Sequence, residues 1–458
     1  MKADLTEPPS HVQRSHRPGA NAQDIALAVD LLGQAHRPVL FIGHGATLSE
    51  AGPQITELAE HLGIPVITSP NGMGCIPGDH PLALGFIGRN GAYPANEAGR
   101  RSDLVITLGT RFDDRSSSSW HPGYSWNFPK TRLIHVDIDP QELGRNYAPD
   151  LGVIADVQVF MSQLRQALAS RAEISASRYA PWLEQVRGWQ AEWSRYVQPH
   201  FTSSTTPLRP EFVVGTLQKL LPDDVILSLD SGVHHNWFMQ FWQAKRPQSM
   251  LNSWGYSSMG FGVCGVMGAQ LAAPDRPCVA VVGDGGFTMA PYVLCTAVEY
   301  QLPVVWIVWN NFAWSAIRDI QYGMFDGREI GTAFYHGATG ERYNPDFAAW
   351  ARACGQQRST HHAHAGKAQG QTVQGLPAVL GPVGHFQAFD DAVHLMRRLQ
   401  QVVEPGRAQA RQHPFEQALA RPPDALGLER HGQGLARGHR IFHALEGADV
   451  FGQGVVHQ

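Results

Sequence analysis

The fold is decided by residues 281–311, VVGDGGFTMAPYVLCTAVEYQLPVVWIVWNN, in which two apolar runs flank a segment of helical character. The first run ends in a glycine-flanked acid, Asp284, and the second ends in two amides, Asn310 and Asn311. Short apolar runs rich in β-branched residues predict buried strands, and a strand, a helix and a second strand form a parallel unit. Because neighbouring parallel strands end at the same edge of a sheet, Asp284 and Asn311 are predicted to meet there.

This predicted edge has the chemistry of a site for magnesium and a diphosphate. Gly283, Gly285 and Gly286 allow a tight turn, and the N-terminus of the helix that follows attracts an anion. A carboxylate beside an anion repels it unless a cation lies between them. One carboxylate, one amide oxygen and a backbone carbonyl suit octahedral Mg²⁺. The alternative interpretation is structural: Asp284 caps a helix and the two asparagines form a turn.

The rest of the chain predicts an α/β protein with two doubly wound parallel-sheet domains and an irregular C-terminal tail. Helical and strand-like segments alternate over residues 22–165, interpreted as a middle domain, and over 207–355, interpreted as a diphosphate-binding domain. A polar leader covers 1–21, and a Trp-containing helix with a loose stretch at 166–206 is interpreted as a linker. Residues 356–458 carry irregularly spaced histidines, which favours a poorly ordered tail over a histidine metal site.

The composition argues against several functional classes. Charged residues make up 17% of the 458 residues and the net charge is −4, so we expect neither a nucleic-acid nor a membrane-surface partner. Apolar runs of about 18 residues are absent from the sequence, and its first twenty residues are polar, which predicts neither a spanning helix nor a signal peptide. The five cysteines are scattered and lack a CxxC spacing. We therefore expect a reduced, cytoplasmic compartment and no zinc site.

The opening stretch resembles the thiamine diphosphate motif of the acetolactate synthase and pyruvate decarboxylase superfamily, in which GDG is followed at a fixed distance by NN. The resemblance implies that Asp284, Asn311 and the backbone carbonyl of Ala313 hold Mg²⁺. It also implies that Gly285 and Gly286 contact the diphosphate of the cofactor.

Two further segments resemble the same family in the same order along the chain. DSGVHHNW at 230–237 resembles its diphosphate-wrapping loop, and SSMGFG at 257–262 resembles the segment that holds the cofactor in a bent V shape. The residues thereby implied near the phosphates are Ser231, Gly232, Val233 and His234. Ser257 is implied to meet the aminopyrimidine through its backbone, and Met259 to prop the V shape. Taken alone, Met259 is typical of a packed core and His234 of a protein surface.

The middle domain resembles acetolactate synthases in GTRFDDR at 109–115 and HVDIDPQELGRN at 135–146. In those enzymes the two segments bind the adenine nucleotide end of FAD, which implies FAD contacts from Arg111, Asp114, Arg115 and Asp137. Arginines pair with phosphates, and an acid at a strand end accepts hydrogen bonds from ribose hydroxyls. The family's third FAD segment carries a histidine where this chain has Ile87. Arginine–aspartate pairs that close a sheet edge are the alternative.

The resemblance implies decarboxylation or carboligation of a 2-keto acid such as pyruvate, in a dimer or tetramer with the cofactor between subunits. The family's first domain, which carries the glutamate that activates the cofactor, has no counterpart in this sequence, so no catalytic residue is assigned. We expect a truncated or frameshifted product that either takes this glutamate from another chain or binds magnesium and thiamine diphosphate without turnover. A benzoylformate-type decarboxylase is a further alternative, because NNFAWSAI at 310–317 departs from acetolactate synthases after NN.

Overall fold

The computed structural model of the chain describes residues 16–203, 205 and 208–355, and the backbone of Ala378–Leu380. Two separate sheets, each built of parallel strands with helices packed on them, account for most of these residues. The predicted class of two parallel-sheet α/β domains is therefore confirmed. Most of the predicted leader and the predicted tail, apart from that last strand, lie outside the described residues.

The first sheet has six parallel strands in the order β3-β2-β1-β4-β5-β6, the order of a doubly wound dinucleotide-binding fold. The strands are β1 (Pro38–Ile42), β2 (Val66–Thr68), β3 (Ala83–Phe86), β4 (Leu104–Leu108), β5 (Arg132–Asp137) and β6 (Leu151–Ile154). The helices are α1 (Ala22–Gln34), α2 (His44–Leu48), α3 (Gly52–Leu62), α4 (Tyr93–Arg101) and α5 (Val157–Leu168). The chain reverses its winding between β1 and β4, which places a crevice at their carboxyl ends.

Both faces of the first sheet are covered, which explains why its central strands are continuously apolar. All five residues of β1 are buried. Its side chains alternate, so that Leu40 and Ile42 join the core formed with α1, α3 and α5, while Val39 and Phe41 join a second core on the opposite face. Helix α6 (Ala176–Phe201) contributes to this second core beside α4.

Helix α6 lies within the segment interpreted from sequence as a linker. The Tyr179 hydroxyl donates to Leu32 O at 2.7 Å, and Trp182 Nε1 donates to Pro38 O at 3.1 Å. Both side chains are almost completely buried. This helix therefore completes the packing of the first domain instead of only connecting two domains.

The second sheet has four parallel strands in the order β10-β9-β7-β8, with β11 antiparallel at the β10 edge. The strands are β7 (Ile226–Leu229), β8 (Met250–Asn252), β9 (Cys278–Gly283), β10 (Val304–Trp309) and β11 (Ala378–Leu380). The helices are α7 (Pro210–Leu220), α8 (Val233–Phe241), α9 (Phe261–Ala272), α10 (Asp284–Phe287), α11 (Val293–Glu299), α12 (Ser315–Met324) and α13 (Phe347–Ala353). The winding reverses between β7 and β9, so a second crevice lies at their carboxyl ends.

The second sheet extends past the boundary expected from sequence. Strand β11 pairs with β10 from Trp306 to Val308, beyond residue 355, where the pattern of the sequence predicts the end of this domain. Three residues of unremarkable composition give no periodic signal, so a strand of this length cannot be found from pattern alone.

Candidate functional site

The two strands of the opening stretch end side by side, as predicted. Strands β9 and β10 pair in parallel with Gly283 opposite Trp309, so Asp284 and Asn310 follow at the same edge. Asp284 is 1% exposed. Its Oδ1 accepts from Gly285 N at 2.9 Å, and its Oδ2 accepts from Phe312 N at 2.6 Å. The carboxylate is therefore fixed in orientation by the backbone of both loops.

A third element reaches this edge from a distant part of the chain. Asn344 Nδ2 donates to Asp284 Oδ2 and to Asn310 Oδ1, each at 2.7 Å. Asn310 Oδ1 also accepts from Phe312 N at 3.3 Å, which is the local turn that the structural alternative foresees for an asparagine. The turn therefore uses Asn310, and Asn311 is left for another role.

The side chain of Asn311 gives the strongest indication of a metal site. Its Oδ1 is buried and has no hydrogen-bond partner among the described residues. A buried amide oxygen without a partner is unfavourable by about 1–3 kcal/mol, which a bound cation relieves. Ala313, whose carbonyl is the third predicted ligand, is also buried at the start of this loop. The residues present therefore fit a magnesium ion held by oxygen atoms.

The electrostatics of the edge also favour a cation. Burial raises the pKa of Asp284 to about 6, against hydrogen bonds from Asn344 and from the backbone that lower it. A bound cation would stabilise the charged form that burial disfavours. Within the part of the chain that the structure describes, no group of three or more acids, histidines and cysteines is arranged to hold a metal ion. The proposed ligand set is thus one carboxylate with neutral oxygens.

The two glycines after Asp284 are required by close packing. A Cβ on Gly286 would lie 2.2 Å from Asp230 Oδ2, and a Cβ on Gly285 would lie 2.1 Å from the indole Nε1 of Trp314. The short helix α10 therefore approaches both the end of β7 and the loop after β10. The sequence alone predicts no role for Asp230 or Trp314.

Asp230 ties together the two segments that resemble the cofactor-binding loops. It follows β7, is completely buried, and accepts from Gly260 N at 3.1 Å and from Gly262 N at 3.2 Å. The hydroxyl of Ser257 donates to Ser231 Oγ at 3.1 Å across the same gap. The 230–237 and 257–262 segments therefore lie against each other at the crevice between β7 and β9.

The 230–237 loop turns into helix α8 at Gly232. Its φ of 153° is one that residues with a side chain rarely adopt, and a Cβ there would lie 2.7 Å from the His234 ring. Val233 is the first residue of the helix. His234 is 1% exposed, and its Nε2 has no hydrogen-bond partner among the described residues. Burial lowers the pKa of His234 to about 4, so the ring is neutral at pH 7. The surface role that His234 would have if taken alone does not match this placement.

Met259 lies in the loop before α9 and is 38% exposed. The core packing that is typical of an isolated methionine is therefore not its role here. A Cβ on the next residue, Gly260, would lie 3.3 Å from Met289 Cβ, so the segment runs beside the loop that follows α10.

The four residues predicted for FAD line one cleft of about 670 Å³. They are Arg111, Asp114, Arg115 and Asp137. The cleft opens at the reversal point between β1 and β4, where the Cβ position of Gly109 would lie 2.6 Å from Gly45 Cα. Ser257, from the second sheet's domain, lines the same cleft. The structure thus brings the candidate nucleotide residues and a candidate cofactor residue to one opening.

Within this cleft the basic residues have different partners. Arg115 lies over the Trp254 ring at 4.8 Å and donates to Asn236 Oδ1 at 2.9 Å. Asp114 pairs with Arg89 at 2.8 Å, so the alternative of an arginine–aspartate pair is realised there. Both partners of that pair are about half exposed, and such pairs contribute little to stability. Ile87, at the family's histidine position, is fully buried in the second core of the first domain.

Several residues of the candidate site cannot be identified from the sequence. Asn344 lies 60 positions from Asp284 in an irregular segment, and no spacing rule connects them. Asp230 was visible within a recognised loop, but its role in fastening the loop before α9 depends on a tertiary contact. Arg89 and Trp254 are paired with Asp114 and Arg115 only by the fold.

The two parallel-sheet domains match the domain models of one family, the thiamine pyrophosphate enzymes. The family model of the thiamine pyrophosphate enzyme central domain matches residues 25–164, and that of the C-terminal TPP binding domain matches 230–380. The chain belongs to this family. The second match ends at the last residue of β11.

Curated proteins similar to this chain include acetolactate synthase large subunits. A probable acetolactate synthase large subunit of Methanocaldococcus jannaschii is 34% identical over 293 residues, which is 63% of this chain and 48% of that protein. The acetolactate synthase large subunit of Corynebacterium glutamicum is 32% identical over 355 residues, covering 77% and 55%. The isozyme 3 large subunit of Escherichia coli is 29% identical over 351 residues, covering 76% and 58%. The chain spans about half the length of the curated relatives it matches.

Among the described residues, every helix is too short or too polar to cross a bilayer.

Proposed function

We propose that this chain binds thiamine diphosphate through Mg²⁺ and serves in the decarboxylation or carboligation of a 2-keto acid such as pyruvate. The single observation that carries the proposal is the edge after β9 and β10. There a buried carboxylate, Asp284, and the unpartnered amide oxygen of Asn311 follow adjacent strands. The match to a TPP-binding domain over 230–380 and the names of the relatives support the choice of cofactor and reaction.

Asp284, Asn311 and the Ala313 carbonyl would hold the metal in this proposal, and the metal would neutralise the diphosphate. Burial disfavours the charge on Asp284 and leaves the Asn311 oxygen unsatisfied, so the cation relieves both. Gly285 and Gly286 keep the backbone of α10 free of side chains toward the same site.

The remaining residues would bind and orient the cofactor. When bound, thiamine diphosphate supplies the electron sink for the carbon–carbon chemistry of 2-keto acids. His234, neutral because it is buried, can donate one hydrogen bond to a phosphate oxygen without adding a charge. Ser231, Gly232 and Val233 form the turn into α8, and Ser257 is fastened to Ser231. Met259, partly exposed in the loop before α9, offers an apolar surface for the bend of the cofactor.

FAD is a further part of the proposal, placed in the cleft of the first sheet. Arg111 and Arg115 offer positive charge for phosphates, and Asp137 at the end of β5 offers an acceptor for ribose hydroxyls. The cleft of about 670 Å³ has a size suited to part of a dinucleotide. The buried Ile87 argues that any contact made by the family's histidine is absent or replaced.

We also propose a homo-oligomer in a cytoplasmic compartment. Apolar side chains beside the cofactor loops are exposed, namely Tyr256, Met259, Met289 and Tyr292. Exposed apolar groups at such a density favour burial against a partner, and the family resemblance suggests a second copy. Five unpaired cysteines agree with a reducing compartment.

A turnover assay on the purified chain tests the reaction. The chain is supplied with pyruvate, Mg²⁺, thiamine diphosphate and FAD, and the products are identified by mass spectrometry. Acetolactate supports the proposed carboligation, and acetaldehyde supports a decarboxylase. Cofactor binding without either product reduces the proposal to a binding protein, and the absence of binding at millimolar thiamine diphosphate contradicts it.

A further inference from the structure

Two of the free cysteines lie together outside the cofactor site. Cys295 is exposed on helix α11, which follows the Asp284 loop by a few residues. Cys354 is half-buried and caps the C-terminus of helix α13. The two cysteines are 59 positions apart in the sequence, and no spacing rule suggests that they meet.

The packing of the two helices brings these thiols to one place. A Cβ on Gly355, the neighbour of Cys354, would lie 3.5 Å from Val298 Cγ1. Val298 is three positions after Cys295 on α11, and positions three apart share a face of a helix. The face that carries Cys295 is therefore turned toward the end of α13. Burial raises the pKa of the Cys354 thiol, and the neighbouring Cys295 thiol raises that pKa further.

We propose that Cys295 and Cys354 are a redox modification site and form a reversible intramolecular disulfide. The oxidant is a small-molecule disulfide such as oxidised glutathione. The exposed Cys295 thiolate attacks one glutathione sulfur, breaks the glutathione disulfide and releases the first glutathione. The Cys354 thiolate then attacks the Cys295 sulfur and releases the second glutathione, so two protein thiols become one disulfide and their two protons end on two glutathione thiols.

The disulfide would act on the segment that forms the metal edge. The loop it closes contains Asn310, Asn311 and Asn344, and Asn344 is fastened to Asp284. Joining α11 to the end of α13 holds that segment at both of its ends. The oxidised chain should therefore unfold at a higher temperature than the reduced chain, and dithiothreitol should reverse the difference.

Thiol mapping of the full chain tests this proposal without any cofactor, so its outcome is independent of the proposed function. The reduced protein is titrated with oxidised glutathione, denatured with acid, alkylated and digested. We expect the number of free thiols to decrease from five to three. A single cross-linked peptide pair that contains Cys295 and Cys354 should appear. Glutathione adducts without that peptide pair, or a cross-link through another cysteine, would overturn the proposal.

Two variants sharpen the result. In Cys354→Ser the exposed Cys295 should accumulate as a mixed disulfide with glutathione, because the resolving thiol is gone. Cys264→Ser removes an exposed thiol on α9 and should leave the cross-link unchanged. Circular dichroism confirms that each variant is folded. A Cys354→Ser protein that still loses two thiols to one intramolecular disulfide would contradict the pairing.

Discussion

Replacement of Asp284 by asparagine separates the two roles that the structure gives this side chain. The Asp284 carboxylate is buried and its pKa is raised from 3.8 to about 6. At neutral pH in the absence of metal, this shift corresponds to roughly 3 kcal/mol of unfavourable free energy in the folded state. The asparagine side chain has the same shape and carries no charge. Asp284→Asn removes that unfavourable term.

The substitution also removes one hydrogen bond. The amide oxygen at the Oδ2 position can still accept from Phe312 N and Asn344 Nδ2, while the new amide nitrogen faces Gly285 N. An unsatisfied buried donor is unfavourable by about 1–3 kcal/mol. The difference between the two terms should make the free energy of unfolding of the metal-free variant roughly 1 kcal/mol higher than that of the wild type. For a domain of this size the melting temperature should rise by about 2–4 °C.

Metal binding should change in the opposite direction. Loss of the single charged ligand removes the partner of a buried cation, which is typically unfavourable by about 3–5 kcal/mol. The magnesium-dependent affinity for thiamine diphosphate should therefore fall by about two to four orders of magnitude. Differential scanning fluorimetry with and without Mg²⁺ and thiamine diphosphate measures both effects in one experiment. Asp275→Asn, an exposed position in the same domain, is the control for the change in net charge.

Two results would refute this reasoning. A variant that keeps its magnesium-dependent affinity within about threefold of the wild type would remove Asp284 from the metal site. A metal-free variant whose melting temperature falls by many degrees would show that the charge on Asp284 is not unfavourable in the folded chain.

Three further predictions follow from the same site and its neighbouring cleft. Gly286→Ala places a Cβ 2.2 Å from Asp230 Oδ2 and should lower the free energy of unfolding by about 1–3 kcal/mol in urea titrations, whereas Gly323→Ala, in a helix with open space, should not lower it. Protonation of Asp284 stabilises the metal-free folded chain at low pH, and this stabilisation is lost as the pH rises through about 6. Because the metal displaces this proton, the apparent magnesium affinity should weaken about tenfold per pH unit below 6 in calorimetric titrations. An affinity that does not change with pH would contradict the metal role of Asp284. Arg115→Lys loses the planar stacking on tryptophan and should weaken FAD binding at least tenfold by flavin fluorescence, and unchanged binding would exclude that cleft as the FAD site.

The fold could be predicted from sequence where the strands are long and apolar. Strands β1, β4, β9 and β10 read as continuous apolar runs because helices cover both faces of each sheet. Strands β3, β8 and β11 have only three or four residues each, so they exist because neighbouring strands offer hydrogen bonds. A segment of that length carries too little pattern to be read alone.

The candidate site, like the fold, could be predicted from the sequence only in part. Asp284 and Asn311 could be placed together because parallel strands must end at one edge, and the structure puts them there. Asn344 could not be found, because its contact with Asp284 depends on the path of the segment between α12 and α13. The role of Asp230 was missed for a related reason: its partners are the backbone amides of Gly260 and Gly262, and amides have no sequence signature.

Isothermal calorimetry of thiamine diphosphate binding to the wild-type chain tests the central claim most directly. One titration is made with Mg²⁺ present and the other with the metal removed by EDTA, and thiamine without its diphosphate is titrated for comparison. We expect binding only when Mg²⁺ and the diphosphate are both present, because Asp284 and Asn311 reach the cofactor through the metal. Binding that is equally tight without magnesium, or no binding at millimolar cofactor, would contradict the account.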